Sequence, residues 1–196
     1  GTSPGALHRS DRMRGVPWRS GWRIYGSPVI QRYRGSTITI GEKLSLRSWP
    51  RSNPLVPAHP VVLSTRSADA VIKIGDSVGI TGGAIVAAEY VEIGDSVLIG
   101  ANTTIVDTDF HPLDPEGRKR NILGGAHAPV FIERDVFVGT QCLIMKGVRI
   151  GVGAVVGAGS VVVKDIPPRA VAAGNPAEAL RDTDESVSRP LRNAYE

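Results

Sequence analysis

The sequence predicts an all-β chain wound as a parallel β-solenoid, and three observations carry that prediction. First, from Ile74 an aliphatic residue returns every six positions: Ile74, Ile80, Val86, Ile93, Ile99, Ile105, then Ile132, Val138, Ile144, Ile150, Val156 and Val162. The fit needs one single-residue insertion near Glu92 and one long excursion between Phe110 and Val130. Second, Ile and Val supply 39 of 196 residues while aromatics are 5%, a balance that favours strands over helical bundles. Third, Gly follows the stripe residue in six of the twelve hexads, at Gly75, Gly94, Gly100, Gly139, Gly151 and Gly157. The fifth position is mostly small or β-branched, as at Val78, Ala84, Val97, Thr103, Val136, Cys142, Val148, Ala154 and Ser160.

A period of six is a multiple of two, so the stripe always faces the same side of a strand. Gly after each stripe residue is expected to let short strands bend at sharp corners. Three hexads complete one triangular coil, and stacked coils bond to one another about 4.8 Å apart. No coil can bury its own stripe, so stacking is obligatory. In chain order, residues 1–37 are expected to form a basic N-terminal arm or cap, its apolar part covering the open end of the core. Residues 38–167 form the helix, interrupted by a Pro-rich loop at 47–60 and a protruding loop at 111–131. The regular coils are expected at 74–92, 93–110, 132–149 and 150–167. Ile166-Pro167-Pro168 should stop the repeat, because Pro cannot donate to a ladder. Residues 168–196 form a capping segment and tail, in which PAEALRD at 176–182 reads as a short helix starting at Pro.

Composition removes several function classes. The chain is long enough for one core without disulfides, and its lone Cys142 excludes an internal disulfide framework. The longest uncharged, largely apolar run, 150–163, is too short for a membrane span, which needs roughly 20 residues. The first residues carry no apolar signal core, so the expected compartment is the cytoplasm. The net charge of +4 conceals an asymmetry: residues 1–51 hold ten Lys/Arg and two acids, the remainder thirteen and seventeen. Trp18, Trp22, Tyr25 and Tyr33 interleave with Arg in that basic stretch, but no nucleic-acid motif accompanies them, so no nucleic acid is expected as a partner.

The chemistry concentrates after a complete hexad, in DTDFHPLDPEGRKR starting at Asp107. An imidazole at His111 is suited to general-base work at neutral pH, and a nearby carboxylate, Asp107 or Asp109, can orient it. Cys142 sits at an inward hexad position, which argues against an acyl-cysteine intermediate.

Four pieces resemble the hexapeptide-repeat acetyltransferases, in particular the sugar, maltose and thiogalactoside O-acetyltransferases: NTTIVDTDFHPLDPEGRKR, APVFIERDVFVGTQCLIMKGVRIG, VVGAGSVVVKDIPP and AGNPAEALR. The resemblance implies a left-handed helix, a hand the spacing does not give. It implies acetyl-CoA as co-substrate without a metal, a saccharide acceptor such as a polysaccharide precursor, and a homotrimer with sites between subunits. It maps the catalytic base onto His111, a thioester-holding N–H near Thr140, and CoA contacts onto Ala158, Val163, Lys164 and Arg181. Two departures stand out. Glu178 replaces the usual cation after Asn-Pro-Ala, and Thr81 and Glu89 occupy positions where the family often has Asn and Asp for the acceptor. Two other readings stand beside this one. One is a non-catalytic β-helix scaffold. The other is a γ-type carbonic anhydrase, which needs three His, two of them close together, whereas His111 and His127 are sixteen apart and His59 is remote.

Overall fold

The computed structural model describes Met13 and residues 15–183. Six coils stack along one axis, and their parallel strands form three sheets that make the faces of a prism. The first coil is β1 (Arg23–Tyr25), β2 (Val29–Gln31) and β3 (Thr37–Ile40); the second is β4 (Ser45–Arg47), β5 (Val62–Thr65) and β6 (Val71–Ile74). The third is β7 (Gly79–Thr81), β8 (Ala84–Ala87) and β9 (Tyr90–Ile93), and the fourth is β10 (Leu98–Ile99), β11 (Thr104–Val106) and β12 (Val130–Ile132). The fifth is β13 (Phe137–Val138), β14 (Leu143–Ile144) and β15 (Arg149–Ile150). The sixth is β16 (Val155–Val156), β17 (Val161–Val162) and a single bridge from Ile166 to Ile150. We call the face holding β1, β4, β7, β10, β13 and β16 face A, that holding β2 to β17 face B, and that holding β3 to β15 face C.

Inward residues lie in columns, for example Leu46, Ile80, Ile99, Val138 and Val156 on face A. All are buried, as are eleven of the twelve expected stripe residues. The exception is Val86. Ile85 is the buried residue there, paired with Ile105, and Val86 points outward. Gly82 and Gly83 explain the slip. Both take left-handed backbone (φ 52° and 92°), closing that corner one residue early. The slip also turns Ala84 outward. The glycines after the stripe residues play a different part from the one expected. The left-handed residue at most corners comes two positions later, as at Ser77, Ser96, Asn102 and Gln141. A Cβ on Gly94, Gly100 or Gly139 would instead meet the backbone of the next coil at 2.5–2.6 Å. Those glycines permit close stacking.

The ends differ from expectation in two ways. Arg23–Tyr25 and Val29–Gln31, expected within the arm, are strands that pair in register with the second coil. Ahead of them, Met13, Val16 and Trp22 are buried in the core cluster, and Trp22 Nε1 donates to the Gly41 carbonyl at 2.6 Å. The remaining expectations for the arm and tail, at residues 1–12, 14 and 184–196, lie outside the described residues. At the other end, Pro167-Pro168 ends the hexads but β18 (Ala170–Gly174) still adds to face A. The segment expected as a helix is β19 (Ala177–Asp182), which returns antiparallel along β18. So short a helix is unstable alone, whereas the open edge of β18 offers bonding partners at once. Among the described residues no helix is long and apolar enough to cross a membrane.

Candidate active site

Repeat arithmetic places the chemistry at particular corners. The chain turns from face B to face C two residues after each face B stripe position. That puts Asp107, Lys146 and Lys164 in one column over successive coils. The fourth coil leaves the prism at this B/C corner, and its excursion folds back as two arms. Asp109 N–H donates to the Ala126 carbonyl at 2.9 Å, Ala128 N–H to the Asp107 carbonyl at 2.9 Å, and Thr108 bridges His127. The excursion contains α1 (Pro115–Arg120), capped by Asp114, whose Oδ1 accepts from Gly117 N–H at 2.6 Å. An Asp followed by Pro at the first helical position is the signal for this helix, which lies inside the segment expected as a loop at 111–131.

Asp107 is fully buried and is not brought onto His111. Its carboxylate accepts from the N–H groups of Ala88, Glu89 and Tyr90 at 2.6–2.8 Å, tying the root of the loop to the coil below. Asp109 accepts from Lys146 Nζ at 2.7 Å through Oδ1, while its buried Oδ2 has no partner among the described residues. Glu89 pairs with His127 Nδ1 at 2.8 Å, not with His111. His111 is exposed, and its Nδ1 bonds the Ile122 carbonyl. A carbonyl oxygen only accepts, so Nδ1 carries the proton and the neutral ring leaves its Nε2 lone pair free. The orienting group is therefore a backbone carbonyl, which no side-chain motif announces. Gly125 backs this turn closely; a Cβ there would meet His111 N at 2.5 Å.

The second half of the expected site lies elsewhere. A groove of about 750 Å³ runs along the outside of face A, lined by Thr81, Leu98, Phe137, Thr140 and Ala158 among others. Thr140 and Ala158 stand one coil apart at the A/B corner, where Gly159 N–H donates to the Thr140 carbonyl at 2.8 Å. Thr140 Oγ1 donates to Ala101 O at 2.6 Å, while its own N–H donates to no acceptor among the described residues. Val163 and Lys164 sit at the B/C corner, two coils beyond the root of the His111 loop. Arg181 lies on β19 opposite Val171, and Glu178 opposite Ala173. In a three-sided prism the B/C corner is the edge opposite face A, and no residue of 107–131 lines the groove. A single chain therefore keeps His111 apart from Thr140, Ala158 and Thr81.

Cys142 is buried, its Sγ donating to the Gly157 carbonyl at 3.2 Å, and burial pushes its thiol pKa up. Each described imidazole is engaged separately: His59 with the Pro60 carbonyl, His111 with Ile122, His127 with Glu89. Among the described residues no three His, Cys, Asp or Glu side chains converge as a metal site would require.

Comparison with known proteins agrees with this architecture. A family model described as the hexapeptide repeat of succinyl-transferase matches residues 129–164. A galactoside O-acetyltransferase of Lactococcus lactis is 43% identical over 94 residues, 48% of this chain and 44% of that protein. The Escherichia coli galactoside O-acetyltransferase is 43% identical over 95 residues, 48% of this chain and 45% of that one. The matched stretch thus spans less than half the length of these relatives. A solved galactoside acetyltransferase in complex with coenzyme A superposes over 91% of this chain and 71% of its own, with a TM-score of 0.57 and 29% identity. Stacked inward columns, the match of the repeat model at 129–164 and this superposition together give the chain the left-handed parallel β-helix fold and make it similar to hexapeptide-repeat acetyltransferases.

Proposed function

We propose that the chain is an acetyl-CoA-dependent acyltransferase that moves an acetyl group directly to a saccharide hydroxyl, with His111 as general base. The observation that carries this reading is the His111 ring, whose Nδ1 is held by the Ile122 carbonyl so that Nε2 is the basic atom. Nε2 takes the proton of the acceptor hydroxyl as that oxygen attacks the thioester carbonyl. The collapsing intermediate expels the CoA thiolate, which takes the proton back from the imidazolium. The unclaimed Thr140 N–H is placed to bond the carbonyl oxygen as it gains charge. A buried, protonated Cys142 fits transfer without an acyl-enzyme. Lys164 and Arg181, both exposed, suit the phosphates of CoA.

Because His111 and the groove occupy opposite parts of the prism, the working site is assembled from two copies, one giving the His111 loop and its neighbour the groove. Closed rings of such head-to-tail contacts give a trimer in the simplest case. The names of the relatives support galactoside-like acceptors. Release of free thiol from acetyl-CoA, measured against neutral, amino, acidic and phosphorylated sugars, tests the reading. Thiol should appear with at least one sugar, and His111→Ala should lower the rate by roughly 10²-fold or more. No acceptor-dependent release with any sugar, or full activity of His111→Ala, would refute it.

A further inference from the structure

The groove on face A changes character along its length. Its middle is an outward ladder of Leu98, Phe137 and Val155, and its far end is made of Gly139, Thr140, Gly157 and Ala158. At the N-terminal end the lining includes three cations, Arg23, Lys43 and Arg47, and no carboxylate. Arg23 is the outward neighbour of Ser45 across β1 and β4, and Ser45 is that of Gly79 across β4 and β7. Gly79 opens a pit in the ladder, since a Cβ there would approach Leu98 Cδ2 at 2.9 Å. Arg47 is held in place by the Ser52 carbonyl and by the Tyr25 ring, 4.8 Å from its guanidinium carbon. The side chains of Arg23 and Lys43 make no hydrogen bond or ion pair among the described residues. The bordering C/A corner also carries carboxylates: exposed Glu42 next to Lys43, Asp135 three coils on, and two aspartates tied to backbone, Asp76 Oδ1 accepting from Glu42 N–H at 2.7 Å and Asp95 Oδ1 from Asp76 N–H at 2.8 Å.

The loop at 47–60 builds a wall beside these cations. Asn53 Oδ1 accepts from Leu55 N–H at 2.9 Å, and Asn53 Nδ2 reaches Thr81 Oγ1 at 3.4 Å. The result is a polar pocket with hydroxyl and amide groups for a sugar, a glycine floor, and excess positive charge. From Arg47 on the second coil to Ala158 on the sixth is four coil steps, about 19 Å at sheet spacing. That span leaves room for an acceptor at the basic end and a pantetheine arm along the rest.

We propose that Arg23, Lys43 and Arg47 form an anion subsite for the acceptor, so that the preferred substrate is a saccharide bearing a carboxylate or a phosphate. The inference rests on the acetyltransferase reading for the word acceptor, but the binding it predicts is measurable without catalysis. Two guanidinium groups and an ammonium favour an anion over a neutral sugar, and the preference weakens with salt.

Calorimetric titration of the full chain with glucuronate, glucose 1-phosphate and glucose tests it. At least one anionic sugar should bind roughly tenfold or more tightly than glucose, the scale of one charge-assisted hydrogen bond. The double variant Arg23→Gln/Lys43→Gln changes only exposed side chains, and it should erase that preference while leaving the CoA affinity unchanged. Equal binding of charged and neutral sugars, or a preference that survives in the double variant, overturns the proposal. A variant that loses CoA affinity instead assigns the cations to the donor's phosphates, which also overturns it. None of these outcomes depends on thiol release, so failure here is distinct from failure of the acetyl-transfer reading.

Discussion

Asp107 and His111 are four positions apart, yet the fold gives them different work. The Asp107 carboxylate is buried against three backbone N–H groups, and the His111 ring is exposed with one nitrogen free. Replacing Asp107 by Ala leaves three buried donors unpaired, so the variant should lose about 3 kcal/mol at roughly 1 kcal/mol per bond. Denaturant unfolding measures this. An unchanged midpoint would remove Asp107 from the loop's anchorage. The residue types of the site were legible in the sequence, since DTDFHP marks the loop and Cys142 reads as core. Their partners were not. A backbone carbonyl at Ile122 holds His111, and no side-chain pattern encodes a carbonyl. Lys146, which pairs with Asp109, was not among the expected site residues, although repeat arithmetic places it in the same column as Asp107 and Lys164. Glu89, expected to bind the acceptor or orient His111, pairs with His127 instead.

At the scale of the element, the six-residue period is reliable where corners are uniform and fails where one is shortened. Gly82-Gly83 shortens the corner between β7 and β8 by one residue, and the buried position moves from Val86 to Ile85. Gly83→Ala tests that corner. Its φ is 92° and a Cβ would meet the Thr103 carbonyl oxygen at 2.1 Å. Strain of this kind should destabilise the chain by roughly 2 kcal/mol or more, read as a lowered denaturation midpoint. A neutral substitution would mean that the corner is built differently. The last element shows the opposite limit. PAEALRD carries helix formers, but the available edge of β18 offers hydrogen bonds that a helix of two turns at most cannot match. Local propensity yields there to tertiary context, as it does for β1 and β2. Their outward residues are Arg23, Tyr25, Val29 and Gln31, while their inward Ile24 and Ile30 continue the columns of the coils above.

At the scale of the molecule, the prism separates what the chemistry must join. His111, Val163 and Lys164 belong to the B/C corner, and Thr81, Thr140 and Ala158 to the groove on face A. On the proposed reading one chain holds two half-sites that its own prism keeps apart, and a ring of copies would join each half-site to the other half of a neighbour. Complementation tests this central claim most directly. His111→Ala removes the base, and Ala158→Trp fills the groove at an exposed position. Each variant alone should be inactive in thiol release. Mixed trimers, isolated through a different tag on each chain, should regain about a third of the wild-type rate, since each closed ring of both variants holds one intact site in three. Mixed oligomers no more active than either parent would contradict the shared site.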